Sequence, residues 1–326
     1  MKEKPFLSFN RQMRHLRNCK MIDCNGSLHK SFLVKYGYFN LINAYKDPFV
    51  LTIDHEDSHV YIGGTSIDHF VSLKIFDDNL RMLLLSNITR IEEEIRNLLA
   101  YKLDAVNSQN VEWYETNAYD RKYDVQTIVR TISSCFQTID LCKNSYVDHY
   151  TKKYGRVPTW IFTKVIKFSE LIDVIKISKS EVKDSICKLY SILDKRERPN
   201  HNLLLNSLHE IRVLRNVCAH NERVVFFRME NQRINQPFIK FINSSKRYTK
   251  ERDLLLIDII VTLKYFLDNN EFVSFIEQFT TLLLDLKSRL NASSFDKVRG
   301  GLGIKTIDDL DYLRNSNKMI KNYNAF

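Results

Sequence analysis

Over most of the chain, apolar residues recur every three to four positions, the spacing of helices that bury one face. Residues 8–20 and 27–44 predict two short helices around a turn at Asn25-Gly26. The second carries Phe32, Leu33, Tyr36 and Phe39 and ends near Asp47-Pro48. Residues 49–64 lack a helical period and close with Gly63-Gly64. Thr65 or Ser66 is placed to cap the next helix. Leu80, Leu83, Leu84, Ile88, Ile91, Ile95, Leu98 and Leu99 then predict a long helical hairpin over 66–107, with Glu92-Glu93-Glu94 on its solvated side.

Further helices are predicted over 121–150, 159–176, 180–193, 201–223, 252–269 and 271–290. The turn Lys152–Pro158 and the charged loop Asp194–Asn200 interrupt them. Residues 224–242 are mixed and read as irregular or short strand, and 244–252 as a basic exposed loop. The segment after 291 contains Gly300-Gly301-Leu302-Gly303 and is expected to pack loosely. The pattern therefore predicts an all-α helical bundle in three parts: an N-terminal helical segment (1–64), a main helical domain (65–290) and a C-terminal tail (291–326).

Composition agrees with this. Only 8 Gly and 5 Pro occur in 326 residues, with 44% hydrophobic and 27% charged residues, which is a globular, helix-permissive mixture. The formal charge of +10 suits a polyanionic partner, although the excess is moderate. Six cysteines without a C-x-x-C spacing read as reduced thiols, not as a zinc site or a disulfide scaffold. The opening Met-Lys-Glu-Lys-Pro runs straight into amphipathic sequence, with no signal peptide. The most apolar run, Leu254–Leu263, is broken by Asp258 and is too short to span a bilayer. A cytoplasmic protein without a membrane anchor is expected. The 16 Tyr and 20 Phe should be mostly core, and stacking on nucleobases is not separable from packing at this level.

Candidate chemistry lies in the helix predicted over 201–223. Leu204, Ile211, Leu214 and Cys218 share one face, which should be buried. His209, Arg212, Asn216, His220 and Arg223 form a polar, basic stripe, and Arg215 sits between the two. Arg215 and His220 are the residue types that metal-free RNA cleavage needs. A histidine titrating near neutral pH can move the proton of a ribose 2′-hydroxyl. An arginine presents a fork of donors to a phosphate and stabilises the charge developing there.

Positions five apart on a regular helix point about 140° away from each other. One helix alone therefore does not easily place both groups on one phosphate. A homodimer with a composite site would. Arg212, Arg223, His209, Lys246 and Arg247 are the RNA-binding candidates. No metal and no cofactor is expected. The same residues also fit a structural arrangement in which Arg215 pairs with Glu222 or Glu210 and His220 caps the helix end.

Arg215-Asn216-Val217-Cys218-Ala219-His220-Asn221-Glu222-Arg223 resembles the R-N-x-x-A-H-x-x-R signature of the Abi family, the AbiD/AbiF-like abortive-infection proteins of the HEPN superfamily. The likeness extends over about residues 4–270. Lys4–Phe9, Tyr36–Tyr45 with Pro48-Phe49, Gly64–Ile67, Phe76-Asp77-Asp78-Asn79-Leu80-Arg81, Ile91-Glu92, Arg96, Pro158–Trp160 and Phe168–Leu171 match its blocks in order. Asn40 stands where the family often has arginine, and Ser169 where it usually has glycine. The resemblance implies a dimeric all-helical HEPN fold and metal-independent endoribonuclease activity in anti-phage defence, with Asn216 orienting the histidine or the phosphate. It also implies that a small non-coding RNA can be a partner. The alternative is a non-catalytic protein that holds a structured RNA, and a third is a protein-interaction scaffold.

Two other motifs carry less. His55-Glu56-Asp57-Ser58-His59 spells H-E-x-x-H, but its turn-forming neighbours supply no helix to bring the histidines together. Gly300–Lys305 hints at a phosphate loop but lacks the G-K-S/T ending and a preceding strand.

Overall fold

The computed structural model of the chain describes residues 6–53, 58–107, 111–142, 144–232, 252–316 and 321–325. Its axis is α3 (Ile67–Val106), a single helix of 40 residues and so about 60 Å long. This corrects the expected hairpin. The sequence from 67 to 106 contains neither glycine nor proline, so nothing in it turns the chain. Ser66 caps the start, its amide donating to His69 Nδ1 at 3.1 Å. The helix buries residues on several sides, Phe70, Leu80, Ile88, Ile95 and Leu99 among them, because other helices pack around it.

Before α3 come α1 (Phe9–Lys20), α2 (Gly26–Tyr36), a π-helical turn at Phe39–Asn43 and an antiparallel hairpin, β1 (Val50–Ile53) with β2 (His59–Tyr61). His59 of the H-E-x-x-H sequence therefore stands on a strand, whereas residues 55–57 lie outside the described residues.

After α3 the chain forms α4 (Val125–Leu141), α5 (Ser145–Tyr154), α6 (Thr159–Val165), α7 (Phe168–Ile177) and α8 (Ser180–Leu189). The helix expected over 121–150 is thus two. Asp124 starts α4 by accepting the Thr127 amide at 2.8 Å, and α4 ends at Leu141. The helix expected over 159–176 is also two. It breaks at Ile166 and Lys167, where Arg96 of α3 takes up the carbonyls of Thr163 and Ile166. A charged side chain from another element satisfies the acceptors that the break frees, and local periodicity does not register that.

The second half holds α9 (His201–Ala219), β3 (Arg228–Gln232) paired antiparallel with β4 (Arg252–Leu255), α10 (Leu256–Phe266) and α11 (Asn269–Arg289). Residues 252–255, expected as helix, are strand because Leu254 and Leu255 pair with Met229 and Arg228. Every residue of α10 is buried.

The last part is not a loose tail. It forms α12 (Ala292–Leu302) and α13 (Asp308–Asn315), which bury Val298, Leu302, Leu310 and Leu313. The glycine run lies inside and at the end of α12. A Cβ on Gly301 would stand 2.5 Å from the Phe226 ring, so the residue permits a close approach of α12. Gly303, at φ 87°, ends the helix. One continuous apolar cluster runs from Met13 to Leu313. The fold is all-α with two small sheets.

Candidate functional site

Helix α9 is fixed first by its apolar face: Leu204, Leu208, Ile211, Leu214 and Cys218 are buried. Asn200 caps its start, accepting the Leu203 amide at 3.0 Å. That anchoring decides where the polar residues point. His209 and His220 are exposed, and Arg212, Arg215 and Asn216 are half-buried.

Arg215 leans on α3. Its Nε lies 3.4 Å from Glu92 Oε2, and Glu92 is only 7% exposed. The other Glu92 oxygen accepts from Arg96. One buried carboxylate thus faces two guanidinium groups, hydrogen-bonded to Arg96 and within ion-pair distance of Arg215. Neither acid proposed as a structural partner has this role. Glu210 accepts the Thr262 hydroxyl at 2.8 Å, and Glu222 is exposed. The run Glu92-Glu93-Glu94 reads as a solvated face, and for Glu92 the structure corrects that. The packing of α9 against α3 covers it, and no local pattern reports such a contact.

His220 stands at the C-cap of α9. Asn221 comes next in the left-handed conformation, φ 58°, which asparagine tolerates better than most residues. The Glu222 amide then returns to Val217 O at 3.0 Å and the Asn221 amide to Cys218 O at 3.4 Å. This is a Schellman closure, and it projects the imidazole off the helix end.

The turn is clamped from outside. Asp77 of α3 is wholly buried, and its Oδ1 accepts the amides of Val224 and Val225 at 3.0 and 2.8 Å. Its Oδ2 accepts the Tyr45 hydroxyl at 2.8 Å and faces Arg81 Nη1 at 3.3 Å. Arg81 also donates to Glu222 O at 3.2 Å and to Asp78. Burial pushes the Asp77 carboxyl up from its ordinary value, against the pull of Tyr45, the two amides and Arg81. Burial, reinforced by Asp77, holds the Tyr45 phenol far above its usual range, so it stays a donor. Phe226, just beyond the clamp, is the ring that Gly301 accommodates.

The remaining predicted residues divide. Arg212 Nη2 lies 3.2 Å from His209 Nδ1. Burial, and then the Arg212 charge, lower the His209 pKa, which favours the neutral ring that can accept this contact. Arg223 is exposed, but its guanidinium donates to Ala44 O and sits 6.0 Å from the Tyr45 ring and 5.9 Å from Phe226. It fastens the turn after His220 to the segment after the π-helical turn. Lys246 and Arg247 lie outside the described residues. Among the described residues, no cluster of three or more His, Cys, Asp or Glu side chains is placed to hold a metal ion, and no helix is long and apolar enough to cross a membrane.

Helix periodicity alone did not assign roles to Glu92, Arg96, Asp77, Arg81 and Tyr45. Four of the five stand on α3, and all five face the ends of α9 or α6 from elsewhere in the sequence. Their one signal is that each falls in a block that resembles the family pattern.

A family model described as Abi-like protein matches residues 31–225, well over half of the chain. The chain belongs to the Abi-like protein family. Membership supports a role in abortive infection. The matched stretch contains Tyr45, the Asp77–Arg81 clamp, Glu92, Arg96 and the whole of α9 through Val225, so the architecture around Arg215 and His220 lies within it. Helices α10 to α13 lie beyond it. No curated protein and no solved structure matches the chain.

Proposed function

We propose that this Abi-like protein is a metal-independent endoribonuclease of HEPN type, acting in anti-phage abortive infection, with Arg215 and His220 as its catalytic pair. One observation carries the reading. The two residues share a helix, yet each is held by its own device: Arg215 by the buried Glu92, and His220 by a capped turn pinned to Asp77 and Arg81. His220 is itself the C-cap of α9, and its imidazole is left exposed on a turn held by buried groups.

In this mechanism a ribose phosphate lies between the guanidinium and the imidazole. His220 takes the 2′-hydroxyl proton, and the 2′-oxygen attacks phosphorus. The bond to the 5′-oxygen breaks, and that oxygen leaves with a proton from the second His220 of the homodimer, which enters the step as imidazolium. The products are a 2′,3′-cyclic phosphate and a 5′-hydroxyl. Arg215 stabilises the charge on the equatorial oxygens, and Asn216, one residue on, orients the phosphate or the ring. Acid–base help of this kind is worth roughly 10²–10⁴ in rate. A homodimer supplies the second histidine and overcomes the divergence of positions 215 and 220 on one helix. Arg212 would meet neighbouring phosphates.

The test is sequencing and end-group analysis of RNA incubated with the pure protein. Wild type should leave cyclic phosphate ends, whereas His220→Ala and Arg215→Ala should leave none. RNA held tightly by wild type and both variants, with no cleavage by any of them, would establish the non-catalytic alternative. A fully active His220→Ala would refute the assignment.

A further inference from the structure

Most aromatic side chains of this protein are core, but a small group on α5 and the start of α6 is not. Tyr154 and Trp160 are each 54% exposed. Tyr150 lies between them. Its ring stacks on Tyr154 at 5.5 Å with an interplanar angle of 28°, and meets Trp160 edge-on at 6.2 Å. The hydrophobic effect would hide such rings in a helix packed only for stability, so a contiguous exposed set needs a reason.

The base beneath them is rigid. Trp113, 2% exposed, stacks on Phe162 at 3.9 Å with an angle of 4°. Its indole N–H donates to Val157 O at 2.7 Å. Gly155, at φ 69°, ends α5 in the left-handed conformation, and the Val157–Pro158 turn comes after it. The turn that carries Tyr154 toward Trp160 is therefore locked before any ligand arrives, which lowers the entropy lost on binding.

Charge selects the class of ligand. Lys152, Lys153, Arg156 and Lys164 stand on α5, on α6 and on the turn between them, and all four are exposed. Lys152 is 3.9 Å from Asp148, and Arg156 pairs with Glu112. Lys153 and Lys164 lie 5.2 Å and 5.6 Å from the Tyr154 and Tyr146 rings. An exposed indole, met edge-on by Tyr150 and standing beside the Tyr150–Tyr154 stack and exposed ammonium groups, matches a chain of unpaired bases joined by phosphates. A duplex hides its base faces and would use the lysines only.

The patch is also tied to the catalytic helix. Arg96 binds the carbonyls at the end of α6 and the same Glu92 that faces Arg215. The platform and the catalytic arginine are thus referenced to one buried carboxylate.

We infer that Tyr154, Trp160 and the lysines beside them form a stacking platform for single-stranded RNA, separate from the Arg215–His220 centre. The choice of RNA rests on the function proposed above. The platform would hold unpaired bases while a neighbouring phosphate enters the cleavage site.

The chain has two tryptophans; Trp113 is buried, so the red-shifted emission that a ligand can quench by contact comes from Trp160, and Trp160→Phe supplies the Trp113 background. The full-length protein is titrated with oligouridylate in a His220→Ala background, which keeps the probe intact. Quenching of the exposed tryptophan is expected. Trp160→Ala and Tyr154→Ala should each weaken binding roughly 5- to 150-fold, the range that base stacking supplies. Trp160→Phe should bind as well as its parent, without the quench. A blunt RNA duplex of the same length should bind weakly and insensitively to these changes. Unchanged thermal melting of the alanine variants separates lost stacking from lost folding.

Equal oligouridylate binding by the alanine variants and their parent would overturn the platform, even if wild type cleaves RNA. So would quenching by phosphatidylserine vesicles and not by oligouridylate. Binding through the platform by a wild-type protein that cuts nothing would sustain the platform and remove the nuclease.

Discussion

Arg215 Nε and Glu92 Oε2 lie 3.4 Å apart, joining α9 to the middle of α3. The pair sits at the point where stability and proposed chemistry meet, because Glu92 also binds Arg96. Glu92→Gln should therefore reduce RNA cleavage more than it reduces thermal stability. Loss of stability should be about 1–3 kcal/mol, with the half-exposed Arg215 limiting the electrostatic part. A double-mutant cycle with Arg215→Ala should show coupling, each change costing less once the other is present. Additive effects on cleavage would mean that Glu92 does not position Arg215.

The Asp77 clamp makes a different prediction. Asp77→Asn keeps the shape but cannot accept from two amides, a hydroxyl and a guanidinium at once. It should destabilise the fold by about 2–4 kcal/mol, since buried donors are left unpaired. Tyr45→Phe removes one donor and should cost about 1 kcal/mol. Chemical denaturation of both variants checks the order. A Tyr45→Phe protein less stable than Asp77→Asn would contradict the clamp.

Gly301 is a steric prediction. Alanine there would place Cβ 2.5 Å from Phe226 Cδ1 and 3.3 Å from Val225 O. Gly301→Ala should lower stability by about 1–3 kcal/mol, despite alanine's better helix propensity. Pairing it with Phe226→Leu should recover part of the loss, measured as the shift in melting temperature.

Lys264 gives a pH dependence. It is 2% exposed, and burial lowers its amine to about 8 from the ordinary 10.5. Its Nζ donates to Leu313 O at 2.8 Å and Ser316 O at 3.3 Å, two bonds that a neutral amine can still make. Between about pH 8 and 10.5 the unfolded chain holds the proton and the folded one does not. The Lys264 contribution to stability should therefore rise with pH across that window, by roughly 3 kcal/mol in total, and be flat on either side of it. Denaturation of wild type against Lys264→Met isolates the contribution, because the variant lacks this rise. Parallel curves for the two proteins would place the ammonium in a solvated site.

Much of this protein was legible in its order of residues. Periodicity fixed the all-α class, the burial of Leu204, Ile211, Leu214 and Cys218, and the exposure of His220, because a helix face is a local property. The Arg215–His220 spacing was visible for the same reason. Sequence pattern did not decide where one helix ends when another element supplies the cap. Arg96 makes two helices of residues 159–177, and strand pairing removes 252–255 from α10. Nor did it decide that Glu92 is buried beside Arg215, that Asp77 grips the turn after His220, or which tyrosines and tryptophans stay in water. Each of those depends on side chains far apart in sequence and brought together by packing around α3, and a one-dimensional pattern carries no record of that contact.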